Sequence, residues 1–254
     1  MIRPPDPLLE ELALQERSWE RNDLLRLLYQ QWYREIATRL SKVEGPTIEL
    51  GSGIGKLREA VPGAVLTDVA ATPWADSVVD AQELPYDSSS IANLVLVDVL
   101  HHIPQPTRFL DEAARVLAPG GRIVLLEPYC SPVSYRLYRA FHHETTDLGA
   151  DPFAARALSS EDALDSNQAI PTLLFFRRAS ERERRWPQLR VIERRRLALV
   201  AYPLSGGWRR RPLLPAAARG AALALETVLA PFARLIAFRC FVVLERAPRS
   251  AEVD

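Results

Sequence analysis

An open α/β sheet, mostly parallel and covered by helices on both faces, is the fold class that this sequence of 254 residues predicts. Short, nearly continuous apolar runs alternate with segments of helical periodicity, as buried parallel strands require. Nearly half of the residues are apolar, so the chain can bury a sizeable core. The predicted strands are Thr47 to Leu50, Ala64 to Thr67, Ser77 to Val79, Asn93 to Val97 and Arg122 to Leu126.

The first forty residues are predicted to form one helix ahead of the sheet. Asp6 is a candidate N-cap, and Pro7 suits the first helical turn. Apolar residues then recur every three or four positions up to Leu40. We expect residues 1–44 to be a helical cap over the open edge of the sheet, with Tyr33 within reach of a substrate. Residues 45–254 would form the main domain.

The turn after the first predicted strand carries glycine at every second position, namely Gly51, Gly53 and Gly55. Glycine accepts positive φ and lets the backbone approach a ligand closely. A helix predicted from Lys56 to Val61 would also present the free N–H groups of its first turn to that ligand. The third glycine comes one residue earlier than in the dinucleotide-binding fingerprint, which disfavours a nicotinamide cofactor.

Acidic residues stand at or just past the ends of the predicted strands. Right-handed crossovers bring the carboxyl ends of parallel strands to one edge of a sheet, where such sheets bind ligands. An acidic edge suits a cofactor with a ribose diol, an exocyclic amine and a net positive charge. These residues are Glu49, Asp68, Asp80, Asp98 and Glu127.

Four ordered motifs, at 49–55, 80–86, 93–103 and 115–121, resemble those of the class I S-adenosylmethionine-dependent methyltransferases, in their type 11 branch. The resemblance implies a Rossmann-like sheet of seven strands, the last of them antiparallel, with S-adenosyl-L-methionine as cofactor and S-adenosyl-L-homocysteine as product. It implies β6 within 189–204, a helix over 216–232 and β7 over 237–245. The implied cofactor residues are Glu49, Gly51, Ser52, Gly53, Gly55, Asp68 for the ribose, Val69, Asp80 and Ala81 for adenine, Asp98 and Val99.

The four histidines form two adjacent pairs. Methyl transfer depends on alignment of the reacting groups, and an alcohol or phenol acceptor also needs a base. We hypothesise that His142 or His143 is that base, with His101 as a further candidate and a structural role open for all three. The resemblance implies a small-molecule acceptor. O-methylation is the first expectation and C-methylation the second, while a lyase or cyclase that does not transfer the methyl group is the alternative.

A long insertion, at about 130–186, follows the fifth strand and is expected to form a lid over the substrate. A connection of this length is usually functional. Tyr129, Asn167 and Gln168 are predicted to contact substrate together with His102. No metal site is expected, because the histidines lack the spacing of one helical turn that a shared ion requires.

The net charge is zero, but it is unevenly distributed. Residues 1–130 hold 12 basic and 19 acidic side chains, and residues 131–254 hold 20 and 13. The arginines of the second half could receive an anionic or carrier-linked acceptor. A nucleic-acid partner is not expected. Contact of 213–244 with an anionic membrane surface is a weaker alternative to a core helix or a dimer face.

The two cysteines predict buried free thiols in a reducing compartment. We expect a cytoplasmic monomer or homodimer without a signal peptide or a transmembrane span, since charged residues and a proline interrupt the longest apolar stretch.

Overall fold

The fold is built on one seven-stranded sheet with the order β3-β2-β1-β4-β5-β7-β6. A computed structural model describes residues 7–142, 144–154 and 165–248. The strands are β1 Thr47–Leu50, β2 Val65–Asp68, β3 Ser77–Val78, β4 Ile91–Val97, β5 Leu117–Pro128, β6 Leu189–Leu197 and β7 Arg239–Arg246. Strands β1 to β5 pair in parallel, and β7 is antiparallel to both β5 and β6. The predicted class and the antiparallel last strand are therefore confirmed.

Helices cover both faces of this sheet. The α-helices of the described residues are α1 Pro7–Arg21, α2 Asp23–Arg39, α3 Pro106–Val116, α4 Pro132–Phe141, α5 Ile170–Thr172, α6 Ala179–Arg185, α7 Ala201–Ser205, α8 Arg219–Leu229 and α9 Ala233–Ile236. Leu94 and Val95 are successive residues of β4, and they belong to two different buried clusters. Since successive strand residues point to opposite faces, each face of the sheet carries its own core.

The N-terminal region forms two helices, where the sequence predicts one. Asn22 separates them with non-helical backbone angles, φ −106° and ψ 84°. Its side-chain oxygen accepts the N–H of Leu25 at 3.1 Å, and its amide donates to the carbonyl of Ser205 at 2.8 Å. An asparagine that bonds to nearby backbone offers the chain an alternative to helix. The predicted cap Asp6 lies outside the described residues.

The helix predicted after the glycine turn is a single 3₁₀ turn, Lys56–Glu59. The carbonyl of Leu57 accepts both Ala60 N–H and Val61 N–H, each at 2.9 Å. Pro62 follows directly, and a residue before proline is disfavoured in a helix. The ligand-facing groups of this turn are therefore loop amides and not the end of a helix.

The region between β6 and β7 is also more broken than predicted. Strand β6 ends at Leu197, because Ala198 adopts a positive φ of 61°. The helix predicted over 216–232 is divided into 3₁₀ turns at Ala216–Ala218 and Ala230–Phe232, with α8 between them and α9 after them. Within the described residues, Ala216–Ile236 is the one segment long and apolar enough to cross a membrane by length and composition.

Both cysteines are buried free thiols, as expected. Burial raises the pKa of Cys130 to about 12 and raises the pKa of Cys240 well above its ordinary value. Neither thiol is poised to react near neutral pH.

Candidate active site

A cavity of about 170 Å³ lies beside the glycine turn at the carboxyl ends of β1, β2 and β4. Side chains of α1 form one wall of the cavity, and α2 contributes Tyr29 and Tyr33 to its lining. The structure thus brings Tyr33 to this cavity. The predicted cofactor residues that line it are Glu49, Gly51, Ser52, Gly53, Asp68, Val69, Asp98 and Val99.

The glycine turn depends on the absence of side chains. Gly51 has φ +68°, and a Cβ there would come within 2.5 Å of Val99 Cγ2. Gly53 has φ +52°, and its N–H donates to Asp68 Oδ2 at 3.0 Å. Gly55, with φ +66°, does not line the cavity; a Cβ there would lie 3.1 Å from Trp74 Cβ. The first two glycines shape the cavity, and the third allows Trp74 to pack closely against the turn.

Two buried polar side chains of the cavity lack a partner. Glu49 is 2% exposed, and its Oε2 has no hydrogen-bond partner among the described residues; the same holds for Ser52 Oγ. Burial, reinforced by the charge of Asp68, raises the pKa of Glu49 well above its ordinary value. Burial also raises the pKa of Asp68, against the opposing effect of backbone N–H groups. Because buried polar atoms are nearly always paired, these atoms mark a place for a polar, cationic ligand.

Asp98, at the end of β4, is held by the last strand and by α2. It has a positive φ of 61° and forms an ion pair with the buried Arg239. Tyr29 Oη donates to Asp98 Oδ2 at 2.6 Å and accepts from Arg239 Nη2 at 2.8 Å and Trp208 Nε1 at 3.0 Å. Arg239 also donates to Tyr202 Oη at 2.7 Å. Tyr29 and Arg239 thus fix the orientation of the Asp98 carboxylate at the cavity wall, and Trp208 and Tyr202 hold those two residues in place.

Sequence reasoning missed Tyr29, Trp208 and Arg239. In the sequence, Arg239 is one of the charged residues that interrupt the longest apolar stretch. A charged residue inside a predicted central strand is rarely buried without a partner, and that signal was available.

Glu127 does not reach the cavity, although it was expected at the acidic edge. Its Oε1 accepts Val99 N–H at 2.9 Å and Leu100 N–H at 2.7 Å. Its Oε2 lies 2.7 Å from His101 Nδ1. The carboxylate therefore braces the turn that carries Val99 and His102 into the cavity wall.

His101 is buried between two carboxylates and does not line the cavity. Its Nε2 lies 3.4 Å from Glu144 Oε2, opposite the contact with Glu127. Burial acts to lower its pKa, but the hydrogen bonds and charges of Glu127 and Glu144 outweigh burial and raise the pKa to about 9. An imidazole protonated at neutral pH cannot accept a proton, which argues against His101 as the general base.

His142 and Gln168 meet at the outer side of the same cluster. Gln168 Nε2 lies 3.0 Å from His142 Nδ1 and 2.9 Å from Glu144 Oε2. His142 is exposed, and neither residue lines the cavity. His143 lies outside the described residues.

The ligand atoms of His101, His102 and Glu144 lie within 4.8 Å of one another, close enough to share a metal ion. Hydrogen bonding of His101 to Glu127 and Glu144 already accounts for this arrangement. Of the three, His102 is the one at the cavity, with Nδ1 3.2 Å from the carbonyl of Asp165.

The other predicted substrate residues make internal contacts. Tyr129 is buried at the end of β5, and its hydroxyl accepts Arg196 Nε at 2.8 Å. Asn167 Oδ1 accepts the N–H groups of Asp147 and Ala169, each at 3.0 Å. The backbone N–H of Asn167 donates to the carbonyl of His101 at 2.9 Å, which ties the insertion to the turn beside the cavity.

Asp80 and Ala81 lie outside the cavity, beyond the end of β3. Asp80 is exposed, and its Oδ1 accepts the backbone N–H of Gln82 at 2.8 Å. Because β3, β2 and β1 are adjacent and parallel, a ligand that extends along their carboxyl ends would reach this loop from the glycine turn.

Comparison with known proteins agrees with this geometry. The family model described as "Methyltransferase domain" matches residues 48–125, from β1 into β5. The chain is 43% identical over 54 residues to demethylmenaquinone methyltransferase of Clavibacter sepedonicus, which covers 21% of this chain and 22% of that protein. It is 46% identical over 46 residues to 27-O-demethylrifamycin SV methyltransferase of Amycolatopsis mediterranei (strain S699). That alignment covers 18% of this chain and 17% of that protein. The chain thus spans about a fifth of the length of these curated relatives.

Among solved structures, a chain from the complex of the Haloferax volcanii Trm112 methyltransferase activator with a methyltransferase has the same fold. The TM-score is 0.52 at 18% identity, over 95% of this chain and 96% of that chain. The family match covers the strands that carry the glycine turn, and the structural match covers the whole sheet. Residues 48–125 thus match the methyltransferase-domain family, and the sheet has the fold of the class I S-adenosylmethionine-dependent methyltransferases.

Proposed function

We propose that this protein transfers a methyl group from S-adenosyl-L-methionine to a small-molecule acceptor, with an oxygen acceptor first and a carbon acceptor second. The observation that carries the proposal is the pair of buried, unpartnered atoms Glu49 Oε2 and Ser52 Oγ in the wall of the glycine-turn cavity. A carboxylate and a hydroxyl suit the ammonium and carboxylate of an amino-acid moiety.

The cofactor, when bound, supplies an electrophilic methyl group on a positively charged sulfur. Glu49 would accept hydrogen bonds from its ammonium group, which restores a charged partner to a buried carboxylate. Asp68 would accept the ribose hydroxyls, and Asp80 the adenine amino group, with Ala81 against the ring. Asp98, oriented by Arg239 and Tyr29, would present a carboxylate oxygen as a further hydrogen-bond acceptor in the same wall.

Helix α1 acts in this proposal as a cover that moves when the cofactor binds. Ligand sites usually measure about 300–1,000 Å³, and this cavity measures about 170 Å³. Leu12 and Gln15 approach Gly53 most closely, so that a Cβ on Gly53 would lie 3.7 and 3.6 Å from them. Outward displacement of α1 would enlarge the cavity directly over the glycine turn.

The acceptor is proposed to enter beside His102 and Tyr33, the two predicted substrate residues that line the cavity. The names of the relatives refer to different acceptors, a menaquinone precursor and a rifamycin, and therefore do not select one. We propose His142 or His143 as a base only for an acceptor hydroxyl. Gln168 and Glu144 would then orient the His142 ring through the hydrogen bonds that connect it to His101.

Binding and turnover can be tested separately. Calorimetry should show that the purified chain binds S-adenosyl-L-methionine and S-adenosyl-L-homocysteine, whereas NAD should not stabilise it against heat. Stabilisation by NAD alone would contradict the proposal. With mixed small-molecule acceptors, S-adenosyl-L-homocysteine should accumulate. Cofactor consumption that releases methylthioadenosine would instead indicate the lyase alternative.

A further inference from the structure

In helix α8 both charged residues bond to neighbouring elements, and while Ala222, Leu223 and Leu229 pack toward the cores, Leu225 and Val228 are exposed to solvent. Arg219 Nη1 lies 3.3 Å from Asp23 Oδ2 of α2. The Glu226 carboxylate accepts the backbone N–H groups of residues 199 to 201 at 2.7–2.8 Å, just before α7. A surface helix of a globular protein normally presents charged and polar residues on its solvent side.

The outward stripe of α8 and the turns after it is made of large apolar side chains. Val228 is 69% exposed, Phe232 54% and Leu235 52%, and Leu225 lies on the same side. Helix α4 packs against α9 and continues this surface. Its residues Val133, Leu137 and Phe141 follow at four-residue spacing, and all three are exposed.

We call these seven residues the apolar face, namely Val133, Leu137, Phe141, Leu225, Val228, Phe232 and Leu235. Single exposed apolar residues are ordinary, but a continuous set on adjacent helices marks an interaction surface. The 3₁₀ turn at Ala230–Phe232 joins α8 to α9, and exposed apolar residues lie before it, within it and after it.

Arginines surround the apolar face. The segments 132–141 and 209–236 contain seven arginines, of which Arg209 and Arg219 pair with Glu11 and Asp23, and one acidic residue, Glu226, which bonds to backbone N–H groups. Arg210 lies over the ring of Phe141, 5.6 Å from its centroid, and donates to the Phe141 carbonyl at 3.3 Å. Arg136, Arg139 and Arg234 are exposed on α4 and α9. The surface is therefore apolar at its centre and cationic at its edge.

We propose that the apolar face docks onto the surface of an anionic phospholipid bilayer, with α8 lying in the plane of the interface. Its apolar side chains would enter the headgroup region, while the arginines contact lipid phosphates. A second copy of the chain would place two sets of arginines against each other. Charge complementarity therefore favours lipid over a homodimer.

The segment does not cross the bilayer in this proposal, although its length and composition permit a span. Glu226 is bonded to backbone before α7, and both ends of the segment lead to adjacent strands, β6 and β7, of one sheet. A spanning helix would separate those ends by the thickness of the hydrocarbon core, about 30 Å.

Vesicle co-sedimentation tests the proposal with the whole chain. We expect binding to phosphatidylcholine vesicles that contain phosphatidylglycerol, weaker binding as salt rises, and little binding to phosphatidylcholine alone. The affinity of the double variant Val228→Ser/Phe232→Ser for these vesicles should be lower by a factor of about ten or more. Arg210→Ala/Arg234→Ala should lose much of the salt dependence.

The matched control is Val78→Ser, which removes an equally apolar side chain that is 57% exposed on β3 at the opposite edge of the sheet. It should bind vesicles like the original chain. Circular dichroism establishes that each variant is folded.

Equal binding by the control and the double variant would overturn the proposal. So would a failure of the original chain to bind the anionic vesicles, or a stable dimer in ultracentrifugation that the double variant abolishes. Vesicle binding requires no methyl transfer, so this test is independent of the proposed activity.

Discussion

Arg239, the first residue of β7, forms a buried ion pair with Asp98, the residue that follows β4. The two residues are distant in the sequence, and β5 lies between their strands in the sheet. The pair therefore connects the closing strand of the fold to the wall of the glycine-turn cavity.

Replacing Arg239 by Met should destabilise the protein by about 3 kcal/mol, because removal of one partner leaves a largely buried carboxylate without its cation. Urea unfolding measures the change. The control is Arg58→Met, which removes an ion pair with Asp76 whose side chains are 45% and 44% exposed. Exposed pairs contribute at most about 1 kcal/mol. Equal losses in both variants would contradict the role given to Arg239.

Gly51→Ala should abolish cofactor binding and destabilise the chain, since its Cβ would lie 2.5 Å from Val99 Cγ2 at a φ of +68°. Gly63→Ala is the control, because a Cβ there would meet no heavy atom within 4 Å among the described residues beyond its chain neighbours. Calorimetry with S-adenosyl-L-homocysteine should detect binding only in the Gly63 variant. Unchanged affinity in the Gly51 variant would show that the turn does not carry the ligand.

Glu49→Gln should have opposite effects on stability and binding. Its pKa is raised in the folded state, so the folded chain holds this proton more tightly, and stability falls as pH rises from about 4.5 toward that raised pKa. The variant should therefore be the more stable protein at pH 8 and lose that advantage near pH 4.5. Its affinity for S-adenosyl-L-methionine should fall about 10- to 100-fold, as for loss of a charged hydrogen bond. Unfolding curves at both pH values and calorimetry measure the two effects.

His101 should make stability fall between pH 6.5 and about 9. Its folded pKa is raised from 6.5 to about 9, so its contribution is complete below pH 6.5 and is lost as pH rises through 9. The contribution is on the order of 3 kcal/mol. The stability difference between the original chain and His101→Asn, measured by urea unfolding, should shrink by about that amount across the window. A constant difference would mean that His101 does not bind an extra proton in the folded state.

Arg209→Ala should increase affinity for S-adenosyl-L-methionine about two- to fivefold if α1 must move. Arg209 forms an ion pair with Glu11 of α1, and an exposed pair of this kind contributes about 0.2–1 kcal/mol. Arg185→Ala removes an equally exposed arginine on α6, paired with Glu181, and should not change affinity. Equal affinities for all three proteins would indicate that α1 does not limit binding.

The sequence predicts the sheet because buried parallel strands require continuous apolar runs. The same reasoning places Gly51, Asp68 and Asp98 at one edge, since parallel crossovers bring strand ends together. The sheet and the position of these residues follow from the local hydrophobic pattern and from the right-handed crossovers between parallel strands. Strand β4 begins two residues earlier than predicted and β5 five residues earlier, because the ends of strands depend on their neighbours.

The direction in which a strand-end carboxylate points is not encoded in that pattern. Glu127 lies near the end of β5 and Asp98 directly follows the adjacent β4, yet Glu127 bonds to backbone within the fold and Asp98 lines the cavity. Likewise, nothing local in α2 indicates that Tyr29 meets Arg239, because that contact forms only when the helix and the last strand have both packed on the sheet.

The contact of Tyr29 with Arg239 has a consequence for how the site is assembled during synthesis. A nascent chain that ends before β7 already contains the glycine turn and all of the acidic residues named above, but it lacks the cation that opposes Asp98. We therefore expect ligand binding to arise late, in one step with docking of the final strand, and not gradually as the earlier strands pair.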